Sequence, residues 1–362
     1  MMMNIVRNAV AAAGAACALA LVSTMDANPS LYLFDMLVVN DHRLKQYFHG
    51  KTIWITGASS GIGAELARQI SRYGVRNLIL TGRSEERLQA VADGCFATDG
   101  IGGDDAKTRD MTTISILPLD MSASAPEFQK AVDRLQNILG ENQLDCVILN
   151  AGTGQLQPAF QTSSETTETI FQVNTFAPIT ICQILIERGI LRQDKGRHVV
   201  VTSSVGAKIG VPLSASYAGS KWALHGYLHS LQAEMPWLRI DLVCPGPVDT
   251  HFHSNRPMDN STKEKREVSG TDDVITKSSK KQLKMSVERC TRLYLSSLIL
   301  QSGGEHWIAE QPTLLGLYIN QYFPSAFQKV LNKIGPLRVQ AWQDGKDLYD
   351  PDTWKNMGQE KK

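Results

Sequence analysis

The stretch K-T-I-W-I-T-G-A-S-S-G-I-G (residues 51–63) decides the fold. Thr52–Thr56 is a short run rich in β-branched and aromatic residues, the composition of a buried strand. It runs straight into Gly57, Gly61 and Gly63, and an amphipathic helical pattern then continues to Tyr73. A strand that ends in glycines and opens a helix lets the backbone come close to a pyrophosphate. The free N–H groups and positive dipole end of the helix then face that anion. Gly57, Ser59, Ser60, Gly61, Ile62 and Gly63 are thus the expected phosphate cradle. The spacing G-x-x-x-G-x-G differs from the G-x-G-x-x-G of ordinary dinucleotide folds.

Outward from this loop, short apolar runs alternate with longer amphipathic ones, the texture of a parallel sheet with crossover helices. The expected strands are Thr52–Thr56, Asn77–Thr81, Ile114–Leu119, Asp145–Leu149, His198–Thr202, Ile240–Cys244 and, more weakly marked, Glu305–Ala309. Expected helices lie near Gly63–Tyr73, Ser84–Ala92, Pro126–Leu139, Glu165–Arg188, Tyr217–Glu234 and Val287–Leu300. The fold class that follows is α/β, a doubly wound Rossmann fold with a seven-stranded, mostly parallel sheet over residues 50–312. Gly94–Thr113 interrupts the rhythm as a long polar loop. Asn255–Lys284 is a basic insertion, either a solvated loop or a lid over a substrate cleft, and carries the sequon Asn260-Ser261-Thr262.

The end of the second strand bears on which dinucleotide is bound. An NAD site usually places an acid there for the ribose 2′-hydroxyl. Here the slot holds Thr81, Gly82 and Arg83, with no carboxylate. Arg83 suits a 2′-phosphate, which selects NADP(H) as cofactor. Asp120, after the third strand, is placed either to meet the adenine amino group or to cap a helix.

Lys+Arg 37 against Asp+Glu 36 in 362 residues leaves no field for nucleic acid. Six scattered cysteines without C-x-x-C spacing predict buried thiols and no metal site. His225 and His229 stand one turn apart, but no third ligand follows them, and they are expected on an exposed helix surface. After Arg7, residues 8–25 are uncharged. Residues 1–25 form a signal anchor on this evidence, with a cleaved signal peptide or an organelle presequence as alternatives. Residues 26–49 connect it to the domain. Residues 313–362 form an apolar, amphipathic extension that caps the substrate site, joins a homodimer contact or lies on the membrane.

Y-x-x-x-K occurs twice, at Tyr47/Lys51 and Tyr217/Lys221, so spacing alone selects neither. Tyr47 precedes the glycine loop, and no strand-end serine precedes it. Before Tyr217 stand the glycine loop, Asn150-Ala151-Gly152 after the fourth strand, and V-V-V-T-S-S-V ending in Ser204, thirteen residues upstream. With these ordered motifs the chain resembles the short-chain dehydrogenase/reductase family over roughly residues 50–310. The resemblance implies Tyr217 as proton donor or acceptor, Lys221 as its partner, Ser204 as the group that polarises the carbonyl, and Asn174 as the asparagine of a proton relay. Ser203 is a one-residue alternative to Ser204. It adds Pro245, Gly246, Val248 and Thr250 as the segment beside the nicotinamide, and Tyr217 and Lys221 as cofactor contacts. The tail and N-terminus are similar to a membrane-associated branch of the endoplasmic reticulum that reduces steroid, retinoid and xenobiotic carbonyls. The expected function is an NADP(H)-dependent oxidoreductase on a small lipophilic carbonyl or alcohol. The rival is a non-catalytic NADP-binding scaffold.

Overall fold

A computed structural model gives the structure of the chain and describes residues 23–96, 112–193, 197–250, 252, 284–346 and 348–349. Most of the N-terminal uncharged run, the bulk of both insertions, Cys17 and Asn260 fall outside the described residues. The strands are β1 (Thr52–Thr56), β2 (Asn77–Thr81), β3 (Thr113–Ile116), β4 (Cys146–Leu149), β5 (His198–Thr202), β6 (Arg239–Pro245) and β7 (Gly304–Ile308). They form one parallel sheet in the order β3-β2-β1-β4-β5-β6-β7. The strand order reverses between β1 and β4, so the loops leaving their C-terminal ends part and open a crevice, where ligands of such folds bind.

In chain order the helices are α1 (Pro29–Leu37), α2 (Asp41–Phe48), α3 (Gly61–Ser71), α4 (Glu85–Phe96), α5 (Ala125–Leu139) and α6 (Ser164–Phe171). Then come α7 (Ala177–Glu187), α8 (Ala215–Glu234), α9 (Val287–Leu300), α10 (Thr313–Tyr322) and α11 (Pro324–Gln343). Both faces of the sheet are covered, which is why its strands are continuously apolar. Ile53 and Ile55 of β1 point to the layer of α1–α4 and α9. Trp54, between them, points to the layer of α5, α7 and α8.

The expected helix over Glu165–Arg188 is broken in register. Residues Gln172–Phe176 make a π turn, closed by the Ala177 N–H donating to the Gln172 carbonyl. Pro178 has no N–H to give the Asn174 carbonyl, so the ordinary helical ladder fails there. Cys95, Cys146, Cys182, Cys244 and Cys290 are buried free thiols, as the scattered spacing predicts.

Residues 26–49 are helical and part of the domain. Asp35 of α1 is buried and accepts from Arg289 Nη1 (2.7 Å), Arg292 Nε (3.2 Å) and Ser296 Oγ (2.6 Å), all on α9. Burial raises its carboxyl pKa, but the Ser296 and Arg289 bonds outweigh this and hold it below the usual value. Tyr47 and Lys51 lie at the N-terminal end of the sheet, remote from the crevice. Lys51 Nζ sits 3.3 Å above the Tyr47 ring, and the Tyr47 hydroxyl pairs with His198 Nδ1 at 3.0 Å.

Candidate active site

The glycine loop is shaped by close approach. Gly57 has φ +67°, and a Cβ there would lie 2.7 Å from Ala151 Cα. A Cβ on Gly63 would lie 2.3 Å from the Gly57 carbonyl oxygen and 2.5 Å from Asn150 Nδ2. No side chain fits either position, so the loop folds directly onto the end of β4. Asn150 fastens this junction. Its Nδ2 donates to the carbonyls of Thr56 (3.2 Å) and Gly57 (3.3 Å), and its Oδ1 accepts from Thr202 Oγ1 at 3.0 Å. Three strand ends are thus tied through one side chain.

Above them opens a cleft of about 820 Å³, large enough for a dinucleotide and a small molecule together. Gly57, Ser59, Ser60, Gly61, Ile62, Arg83, Asp120, Asn150, Ala151, Gly152, Ser204, Tyr217, Lys221, Pro245, Gly246, Val248 and Thr250 all line it. Gly63 and Asn174 do not; they act from behind the wall. At the far end of β2, Thr81 is buried and its Oγ1 accepts from Trp54 Nε1 at 2.8 Å, so it faces the core. Arg83 is exposed at the cleft edge, and Arg87, four residues on, lines the same end. Asp120 accepts the Ser122 N–H at 2.9 Å. The cap of α5 is instead Ser124, with Glu127 returning the bond.

Successive residues of an extended strand end face opposite ways, and this separates the two serines. Ser204 stays on the Tyr217 side, where it favours the charged form of that phenol, and its Oγ accepts the Gly206 N–H at 3.0 Å. Ser203 turns away and pairs with His225 Nε2 at 2.6 Å. Tyr217 stands in the first turn of α8, with its N–H on Gln155 Oε1 at 3.1 Å. Lys221, one turn on, is buried, and its Nζ donates to the Thr202 carbonyl at 3.0 Å. Asn174 is wholly buried in the π turn. It clamps Thr153 from both sides, accepting its N–H at 2.8 Å and donating to its carbonyl at 2.9 Å, and also donates to Ser220 Oγ at 3.1 Å. That Thr153 strap and the α8 turn bearing Lys221 are held together by it.

Burial pushes the Tyr217 phenol up to about 12, with the Ser204 hydrogen bond as the opposing effect. Burial pushes the Lys221 ammonium down to about 8. Loss of hydration outweighs the favourable contacts for both groups. Arg87, Arg338 and Tyr349 were missed from sequence, although all three line the cleft. Arg338 and Tyr349 come from the C-terminal extension, where Ala341 and Leu348 pack on Leu213 beside Leu156 and Trp342. The extension therefore borders the cleft.

A sequence model described as short chain dehydrogenase matches residues 51–261. The chain belongs to that family. Dehydrogenase/reductase SDR family member 7 of Homo sapiens is 32% identical over 298 residues, covering 82% of this chain and 80% of the human protein. The protein of the same name from Mus musculus is 31% identical over 303 residues, covering 83% and 81%. Among solved structures, an alcohol dehydrogenase from Thermococcus sibiricus complexed with 5-hydroxy-NADP superposes with TM-score 0.56 at 22% identity. It covers 72% of this chain and 97% of that one. A short chain dehydrogenase from Burkholderia cenocepacia in complex with NADP gives TM-score 0.57 at 19% identity, covering 78% and 98%. These two likenesses carry the fold, and the family makes the chain an oxidoreductase.

Proposed function

We propose that the protein is an NADP(H)-dependent oxidoreductase acting on the carbonyl or secondary alcohol of a lipophilic molecule. The observation that supports this best is the convergence of Ser204, Tyr217 and Lys221 on one wall of the cleft whose floor is the glycine loop. The side-chain-free Gly57 and Gly63 positions fit a pyrophosphate lying against backbone. Arg83 and Arg87 would hold a 2′-phosphate where an NAD site needs a carboxylate.

When bound, the nicotinamide supplies or takes the hydride. Ser204 Oγ accepts the Gly206 N–H, which leaves its O–H to turn from Tyr217 to a substrate oxygen as charge develops there. A phenol held at about 12 is protonated at neutral pH, the state required to protonate the oxygen of a reduced carbonyl. Lys221 places its charge in the cleft wall one turn from Tyr217, and Asn174 acts from behind it by fixing the Thr153 strap. General acid catalysis of this kind contributes about 10²–10⁴-fold.

Val173, Val205, Val211 and Phe252 also line the cleft, which supports an apolar substrate. Residues 1–25 as a signal anchor in the endoplasmic reticulum membrane belong to the same reading, testable by carbonate extraction of full-length and shortened chains. Tyr217→Phe is expected to abolish NADPH-dependent reduction across a steroid, retinoid and quinone panel while NADPH binding stays near wild type. Retention of more than a few per cent of turnover would overturn the mechanism. Arg83→Ala should weaken NADPH far more than NADH; equal losses would remove the 2′-phosphate argument.

A further inference from the structure

His225 is not on an exposed helix surface, as its sequence suggested. It is 6% exposed, and a third donor reaches it from a strand 80 residues away. Glu305 of β7 places Oε1 3.2 Å from His225 Nδ1 and 3.1 Å from His229 Nε2. The three donor atoms lie within 4.8 Å of one another.

We propose that His225, His229 and Glu305 bind a divalent transition-metal ion of the zinc class. Two imidazoles and one carboxylate suit zinc or its neighbours, where magnesium or calcium would take oxygen ligands alone. Tetrahedral zinc with bonds of about 2.0–2.2 Å has ligand–ligand edges of about 3.4 Å. The two histidine–glutamate edges are already close to that length. The remaining edge closes by rotation of His229, whose side chain is 46% exposed and which also opens the site to incoming ions.

The surroundings orient the ligands. Trp307 Nε1 donates to Glu305 Oε2 at 3.0 Å, fixing the carboxylate plane. Ser203 Oγ stands 2.6 Å from His225 Nε2. In the neutral ring, His225 Nδ1–H donates to Glu305 and Nε2 accepts from Ser203. With an ion on Nδ1, Nε2 carries the hydrogen and donates to Ser203, whose hydroxyl turns to accept it. A ligating histidine whose other nitrogen is hydrogen-bonded is the usual support of such sites. One group competes: the Lys208 ammonium lies 3.1 Å from the Glu305 carboxylate and must swing away. The cluster is therefore a cation site in which a lysine holds the place an ion would take.

The test uses the full-length chain stripped with a chelator, titrated with Zn²⁺ against a chromophoric competitor and with Co²⁺ by visible absorption. One ion per chain is expected, with the intense absorption of four-coordinate cobalt. His229→Ala and Glu305→Gln should each weaken binding about tenfold or more. Lys208→Met should strengthen it about tenfold, the scale on which a neighbouring unit charge moves an ionisation equilibrium. A purely hydrogen-bonded cluster predicts otherwise, and either result overturns the proposal: no saturable binding below about 100 µM, or equal affinity in wild type and His229→Ala.

Discussion

Replacing Lys221 with Met should make the protein more stable and, on the proposed mechanism, nearly inert. Lys221 is 3% exposed, and burial lowers its pKa from 10.5 to about 8. At about 1.4 kcal/mol per tenfold change, keeping it charged in place costs about 3 kcal/mol at neutral pH. Methionine has similar length and no charge. It forfeits the charge-assisted bond to the Thr202 carbonyl, worth about 2 kcal/mol, so the net gain is about 1 kcal/mol. For a domain of this size that is an increase of roughly 2 °C in Tm.

The sign with pH is distinctive. The folded pKa lies below the unfolded one, so the wild-type penalty is complete below pH 8 and fades as pH rises towards 10.5. The advantage of Lys221→Met should therefore be full at pH 7 and small at pH 10. Urea unfolding of both proteins without cofactor, at three pH values between these limits, measures it. A variant less stable than wild type at pH 7, or a gain independent of pH, would refute the burial argument.

Gly63→Ala should destabilise by about 3 kcal/mol or more, because its Cβ meets backbone 2.3 Å away. Thermal melting reads this, and dinucleotide binding should fall with it. Asp35→Ala leaves Arg289 and Arg292, neighbours on α9, without the carboxylate they share and should cost about 2–4 kcal/mol. Limited proteolysis should then cut in residues 38–51 before the rest of the domain.

Much of the fold was legible because the buried strands carry their own signal. β1, β2 and β5 have every residue buried, and their sequence boundaries match. The third strand was read too long. Leu117 and Leu119 remain extended and apolar, and their N–H groups still reach Leu80 and Gly82, but pairing as a strand ends at Ile116. The π turn around Asn174 was not legible, since apolar periodicity runs through it and only Pro178 hints at a lost bond. Cleft-lining residues that each sit within a contiguous motif, such as Gly57, Asn150, Ser204 and Tyr217, were legible. Arg338, Tyr349 and the His225–Glu305 pairing were not, because each depends on chain segments brought together only by tertiary packing, and no local pattern encodes that.

Met25 ends the uncharged N-terminal run, yet it is already buried in a small cluster with Val205, Leu314 and Leu317. The next residues continue without slack: the Ala309 N–H donates to the Asp26 carbonyl, and Ala27 bridges to Ile308. An anchor over residues 1–25, as proposed, would have no leash. The domain would follow it directly, with α10 beside Met25 and Leu315 and Tyr322 of that helix exposed. Such a mounting would aim the doorway of the cleft rather than let it roam, so that a water-shy substrate could pass from lipid to enzyme sideways, without crossing open solvent.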